Sequence, residues 1–369
     1  MTKLLKALGL YTLLLVVIPF LILEGAFRVL PVADPPYLLP VNAANPVARF
    51  EPNRDYVYGA GWNFAIRSHK HSNNYGFNHY ADYDPSAKTP LLAVIGDSFV
   101  EAHEVDAGKS AAELLHASLR GAGRVYSFGI SGAPLSTYLA YADWARLNFR
   151  PDAMAVVVIA NDFDESLLKY KDEPRLYYFN DTGLLVRVDY QLSPLKKLMR
   201  QSAFLRYVQH HLLFTHRLAA LERRLTGEVG PDYDQTMATR LPDMKRAVDY
   251  FLQQLPERSG LEPAKIALVI DADRPAIYSE AELARASQGW LAQMRGYVAG
   301  EARRRGFRVI DLQPVFMARY QRDGQRFEFP TDKHWNALGQ RVVAEELRSS
   351  ELYHGVFGAQ PITTAAAPR

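Results

Sequence analysis

The chain contains no cysteine. Disulfides, thiolate metal sites and cysteine nucleophiles are excluded together, and the compartment stays undecided on that count. Charge bias is also missing: 43 Lys and Arg face 40 Asp and Glu, for a net charge of +3. With no Lys/Arg block and no aromatic-basic stripe, nucleic acid is not an expected partner. The 369 residues are 48% hydrophobic and 22% charged, ordinary for a globular chain of one large or two modest domains.

Long apolar runs are scarce as well, which makes the one at the N-terminus stand out. Lys3 and Lys6 precede the stretch Ala7 to Leu23, 17 residues in which Gly9, Tyr11, Thr12 and Pro19 are the mildest members. This sits at the lower limit of a membrane span, about 17–25 residues, and exceeds the roughly 7–15 of a signal-peptide core. Glu24-Gly25-Ala26-Phe27-Arg28 follows and offers no small-x-small cleavage site. The expectation is an uncleaved anchor in preference to a removed signal peptide. Because the lysines lie before the span and only Arg28 lies shortly after it, the positive-inside bias puts the remaining chain outside the cytoplasm. A buried core helix fits less well, since the segment is apolar on every face.

Pro31, Pro35, Pro36, Pro40 and Pro46 predict an extended linker or wrap with little regular structure over 31–60. From Leu91 onward, apolar strand-like runs alternate with helical periodicity. Strands are expected at 91–95, 124–130, 153–160, 265–271 and 307–312. Helices are expected near 109–120, 134–148, 240–255, 280–305 and 337–349. Such alternation predicts an α/β fold, a three-layer α/β/α arrangement with a central parallel sheet, because parallel neighbours need crossovers. The interval 163–239 is too long for a plain loop. Its residues 194–225 have helical spacing, so it reads as a helical insertion that covers the site. The implied division is an anchor or signal segment 1–30, a Pro-rich wrap 31–88, a main domain 89–352 and a flexible tail 353–369.

The first strand, Leu91-Leu92-Ala93-Val94-Ile95, closes on Gly96-Asp97-Ser98. Ser98 thus lies at the carboxyl end of a buried strand, where open α/β sheets bind their ligands. A serine hydroxyl is a weak nucleophile and needs a base plus a group to orient that base. Asp332-Lys333-His334, after the last strand, supplies both at the same edge of the sheet. Oxyanion donors are available at two more strand ends: Phe128-Gly129-Ile130-Ser131-Gly132 and Asn161-Asp162.

In this order, Gly96-Asp97-Ser98, Gly132, Asn161 and Asp332-Lys333-His334, the chain resembles the SGNH or GDSL-type hydrolases over about residues 91–350. The resemblance implies a flavodoxin-like SGNH fold with Ser98 as nucleophile and Asp332 and His334 as the base pair. It also implies an oxyanion hole of the Ser98 and Gly132 N–H groups and the Asn161 amide. Two positions depart from the pattern: Ile159 stands where a glycine is usual, and Asp-x-His replaces the commoner Asp-x-x-His. The shorter spacing, with Trp335-Asn336 and Gly339, looks like the membrane-anchored and periplasmic branch that includes proteins similar to the alginate acetyltransferases.

The resemblance therefore implies an extracytoplasmic ester hydrolase acting on an O-acetyl group of a glycan or on a lipid-derived acyl chain. The alternatives are an O-acyltransferase of an exported polysaccharide and a non-catalytic binding protein of the same fold. No metal and no cofactor are expected, and the oligomeric state is open.

Other residues receive structural readings. Asp97 is expected to hydrogen-bond beneath the serine loop. Asp162, Asp164 and Glu165 are expected to form a solvated helix start and not a metal site. His116 is expected to pack, His103 to line the cleft, and His210, His211 and His216 to lie on the insertion's surface. Tyr170, Tyr177, Tyr178, Phe179 and Tyr190 are expected mostly to pack. The polar segment Arg67 to Phe77 resembles one found ahead of the first strand in anchored relatives and reads as a hydrophilic turn.

Overall fold

The computed structural model describes residues 2–212 and 233–358. His216 and the end of the tail lie outside the described residues. Eleven strands are seen among the described residues, in chain order β1 (Arg54–Ala60), β2 (Ile66–Ser72), β3 (Leu91–Gly96), β4 (Arg124–Gly129), β5 (Ala153–Val158), β6 (Tyr177–Phe179), β7 (Leu185–Arg187), β8 (Ile266–Ile270), β9 (Arg308–Asp311), β10 (Glu328–Phe329) and β11 (Asp332–Trp335). Five of them form an all-parallel sheet in the order β4-β3-β5-β8-β9.

The strands at the centre of that sheet are apolar on both sides because both sides are covered. Leu91, Ala93 and Ile95 of β3, Met154, Val156 and Val158 of β5, and Ile266, Leu268 and Ile270 of β8 enter one core. That core is closed by the helices Leu135–Phe149, Tyr233–Ser259 and Trp290–Arg304. The alternate residues, among them Leu92, Val94, Ala155, Val157 and Val269, enter a second core with the helices Ala111–Ser118 and Ala337–Ser349. The period-2 alternation of side chains thus builds a three-layer α/β/α fold around a parallel sheet.

Several elements depart from the sequence expectation. The wrap is not structureless: β1 and β2 pair as an antiparallel hairpin, with Tyr56, Ile66, Ser68 and Lys70 turned inward and buried. The stretch 280–305 is broken into the helices Glu280–Ala286 and Trp290–Arg304, with the short helix Arg274–Tyr278 before them and with Ser279 and Gly289 as the non-helical N-caps of the two. The insertion is only partly helical, since β6 and β7 form a hairpin whose Tyr178 and Phe179 are buried. The helix Glu351–Phe357 extends into the proposed tail, because Leu352 and Tyr353 join the second core.

The N-terminus is helical from Thr2 to Val29, with a π-helical turn at Leu13–Val17. Residues Lys6–Val29 are long and apolar enough to cross a membrane, with a mean hydropathy of 2.3 over the most apolar window and none of that window buried. The same description fits a signal sequence.

Candidate active site

Three neighbouring strands, β4, β3 and β5, end at one edge of the sheet, and each delivers one predicted group there. After β3, Asp97 caps a single helical turn, Ser98–Glu101, by accepting the Phe99 N–H at 2.9 Å. This turn lifts Ser98 off the strand end. After β4, the chain turns through Gly132 in a left-handed conformation, φ +78°, that favours glycine. After β5, Asn161 sits in the middle of a short 3-10 turn, Ala160–Asp162.

Gly129 has a different task from Gly132. A Cβ on Gly129 would come within 2.7 Å of the Glu101 backbone nitrogen and 2.8 Å of the Asp97 carbonyl. Its absence lets β4 lie directly against the serine turn.

His334 arrives from the far end of the chain on β11, which pairs with β10. Its Nε2 lies 2.8 Å from Ser98 Oγ and its Nδ1 lies 2.5 Å from Asp332 Oδ1. Asp332 also accepts the His334 backbone N–H at 2.8 Å, so the two-residue spacing folds the carboxylate back onto its own ring. Two strands are too few to hold such a hairpin by backbone pairing alone. Side chains do it instead. The Trp335 indole donates to Asp271 at 3.1 Å, at the end of β8. Asn336 caps the helix Ala337–Ser349 through the Leu338 and Gly339 N–H groups and donates to the Arg326 and Glu328 carbonyls. Gly339 must lack a side chain because a Cβ would meet the Phe327 carbonyl at 2.6 Å. Gln340, on that same helix, reaches the serine turn, accepting from Ala111 N and donating to the Phe99 carbonyl.

Sequence reasoning passed over Glu104, although it lies six residues beyond Ser98. It is buried, and its Oε1 stands 3.4 Å from His334 Nδ1, so two carboxylates flank one imidazole nitrogen. Burial raises the Glu104 carboxyl, partly countered by His334. Burial pushes His334 down, but the Asp332 hydrogen bond and the charges of Glu104, Asp332 and Asp97 outweigh it and hold the ring at about 9. Asp332 moves the opposite way: burial would raise it, and the bonds and charge of His334 bring it below the ordinary carboxylate range. Glu104, Asp332 and His334 also offer ligand atoms within 4.8 Å of one another, as a cation site would. The 2.5 Å contact between Nδ1 and Oδ1 is the spacing of a shared proton. A zinc ion needs about 2.0–2.2 Å on each side and would hold them further apart.

The Ser98 hydroxyl has one proton and two neighbours. Asp97 Oδ2 lies 3.1 Å away on the other side from the histidine. With His334 protonated, Nε2–H donates to Oγ and the hydroxyl donates to Asp97. With His334 neutral, the hydroxyl turns to Nε2, the arrangement in which an imidazole can take a serine proton. Asp97, as expected, lies beneath the serine turn; burial lifts its carboxyl to about 7.

Behind the serine lies a buried polar layer. Glu101 accepts from the Ser131 N–H at 2.7 Å and from the Ser131 hydroxyl, so the Gly132 turn is tied to the serine turn. His103 does not line the cleft. It is buried, 3.1 Å from Glu101 through Nε2, bonded to Tyr56 through Nδ1 at 3.0 Å and stacked on Tyr58. The insertion meets the Gly132 turn from outside: Lys171 donates to the Gly132 carbonyl at 2.9 Å and Arg175 to the Ser131 carbonyl at 3.0 Å. Asn161 donates to Glu165 at 3.3 Å, and Glu165 also pairs with Lys171 at 2.5 Å.

The acidic run 162–165 is not a solvated helix start. Asp162 is buried and receives the Tyr138 hydroxyl and the Ile159 N–H, and burial raises its carboxyl well above the usual range. Asp164 is buried and pairs with Arg240 at 2.6 Å. His211 is likewise interior, accepting the Ala33 N–H at 3.1 Å. His116 bridges to the backbone of Val125. The segment 67–77 is a turn only in its second half: its first six residues belong to β2, after which Asn73 accepts the Tyr75 and Phe77 N–H groups and Phe77 enters the core. A cleft of about 480 Å³ beside β9, lined by Arg308, Asp311 and Glu351 among others, includes none of the predicted site residues.

Residues 232–367, a little over a third of the chain, match the family described as "SGNH hydrolase-like domain, acetyltransferase AlgX". The match includes Asp332 and His334 and stops short of Ser98, Gly132 and Asn161. No curated protein sequence matches the chain. Solved structures similar to it include the acetyl xylan esterase AlAXEase, at 14% identity over 70% of this chain and 98% of that one, with a TM-score of 0.41. TesA matches at 14% identity over 70% and 95%, with a TM-score of 0.36. A lipolytic G-D-S-L protein of Veillonella parvula matches at 11% over 70% and 96%, also with a TM-score of 0.36.

Proposed function

We propose that this SGNH hydrolase-like chain is a membrane-anchored, extracytoplasmic serine ester hydrolase that works through an acyl-Ser98 intermediate, with an O-acetyl group on a glycan as its substrate. The observation that carries the reading is the unbroken relay Ser98 Oγ, His334 Nε2, His334 Nδ1, Asp332 Oδ1, with contacts of 2.8 and 2.5 Å. Neutral His334 takes the hydroxyl proton as Oγ attacks the ester carbonyl. Asp332 and Glu104 stabilise the imidazolium that forms. The tetrahedral oxyanion is received by the Ser98 and Gly132 N–H groups and by the Asn161 amide, which exchanges its Glu165 contact for the substrate. Collapse expels the alcohol, which takes the proton from Nε2. Water then attacks the acyl-serine while His334 removes its proton, and carboxylate and free Ser98 are released. The residues in this sequence need no metal or cofactor.

A second reading is favoured by the description of the matched family as an acetyltransferase. There the first half-reaction is unchanged and a sugar hydroxyl replaces water in the second, giving an O-acetylated polysaccharide. Turnover of p-nitrophenyl acetate by the full-length protein, with and without acetyl-free oligosaccharide, separates the two. Phenol release with free acetate as the only acyl product supports hydrolysis. Acetylated sugar in the mass spectrum replaces that reading by transfer. Phenol release unchanged in Ser98→Ala overturns both.

A further inference from the structure

The apolar N-terminal helix is not a detached tether. Phe20, Glu24 and Phe27, at i, i+4 and i+7 on one face, pack against the insertion. Phe20 and Phe27 lie 5.9 and 5.7 Å from the Phe204 ring, and Phe27 stacks on Tyr207 at 4.2 Å. Glu24 accepts from the Ser202 hydroxyl at 2.6 Å and from the Ala203 and Phe204 N–H groups at 3.1 Å. From Lys6 to Glu24 the helix rises about 27 Å, close to the hydrocarbon thickness of about 30 Å. With Lys6 at the inner boundary, Glu24 and its partners lie at the outer one. The insertion therefore meets the membrane at headgroup depth.

What it presents there suits that depth. The short helix Pro194–Met199 begins eight residues before Ser202 and carries Leu195, Leu198 and Met199, exposed by 66, 63 and 45%, at the i, i+3, i+4 spacing of one face. Lys196 and Lys197 lie between them. Trp62 is 66% exposed, and its carbonyl accepts the hydroxyl of the Tyr207 that stacks on Phe27. In water, exposed leucines of this kind are unfavourable. At an interface they are buried in the acyl boundary, the lysines meet phosphate and the indole takes the aromatic-belt position.

Building on the anchored reading above, we propose that Leu195, Leu198 and Met199, with Trp62, Lys196 and Lys197, form a docking surface for the outer face of the bilayer that the N-terminal helix crosses. The partner is anionic phospholipid. Docking ties the catalytic domain to the lipid at two points, the helix and this surface, and so fixes the orientation of the Ser98 edge instead of leaving it on a swivel.

The absence of cysteine makes the test clean. Full-length Leu195→Cys, Leu198→Cys and, as a control, Leu147→Cys, an equally exposed leucine on the sheet-packed helix Leu135–Phe149, are labelled with an environment-sensitive fluorophore. Each is reconstituted in phosphatidylcholine/phosphatidylglycerol vesicles. The expected result is blue-shifted emission at 195 and 198, quenched by shallow spin-labelled lipid, with neither effect at 147. Emission at 195 and 198 matching that at 147, in protein that resists carbonate extraction, overturns the docking surface and leaves the anchor standing. Extraction by carbonate overturns both. In the unlabelled wild type, trypsin is expected to cut after Lys196 and Lys197 several-fold more slowly in vesicles than in detergent; equal rates count against the proposal.

Discussion

The two arms that meet at Ser98 and His334 are held in different ways. The serine arm is backbone: an interior strand of a five-stranded parallel sheet, a one-turn helix capped by Asp97, and Gly129 letting the neighbouring strand lie flush against it. The histidine arm is a two-strand hairpin held by side chains, the Trp335 indole on Asp271 and the Asn336 amide on the helix it caps. The first arm is as stable as the domain. The second can lose its aim while the domain stays folded.

Deleting the proposed nucleophile should have the largest effect. Ser98→Ala is expected to lower ester turnover by about 10⁴-fold or more without a change in melting temperature, measured with p-nitrophenyl acetate. Next comes the orienting carboxylate. Asp332→Asn is expected to cost about 10²–10⁴-fold in kcat. Glu104→Gln should cost less and also move the alkaline midpoint of the rate profile down, because it removes one of the charges that raise His334.

The pH profile follows from the same balance. His334 must be neutral to act as the base, and it is held at about 9, so kcat/KM should rise roughly tenfold per pH unit from neutrality and level off near pH 9. Stability should move the other way. A histidine whose folded-state value is raised stabilises the fold below its unfolded value, and that contribution is lost as pH rises through about 9. A bell or a fall in rate between pH 7 and 9 would count against the assignment of His334 as base.

The smallest effects separate the arms most sharply. Gly129→Ala should destabilise the domain by about 1–3 kcal/mol and lower kcat together with melting temperature, because the added Cβ pushes on the backbone of the serine turn itself. Trp335→Phe, which removes the indole bond that ties β11 to Asp271, should lower kcat out of proportion to its effect on melting temperature. The reverse pattern in thermal unfolding and kinetics would break the comparison.

The same contrast explains what could be read from sequence. The five parallel strands were legible because each is a short apolar run closed by a turn, and the three-layer fold follows from their alternation with helices. Ser98 was legible because it sits at a strand end. Glu104 was not, because nothing local shows that a glutamate beyond a one-turn helix swings back to a histidine 230 positions later. The environment of His103, His211 and Asp162 was also hidden: burial of a polar side chain depends on distant partners such as Tyr56, Ala33 and Tyr138. The hairpin β1–β2 escaped notice because its buried positions include Ser68 and Lys70, polar residues that bond the His103 and Ala102 carbonyls.

The relay from Asp332 through His334 to Ser98 is tested most directly by trapping the acyl-enzyme. Full-length protein is quenched in acid during p-nitrophenyl acetate turnover and digested, and its peptides are read by mass spectrometry. The expected result is a single added acetyl on the peptide containing Ser98, absent in Ser98→Ala and strongly reduced in His334→Ala. Acetyl found on another residue, or on Ser98 to the same extent without His334, would contradict the account.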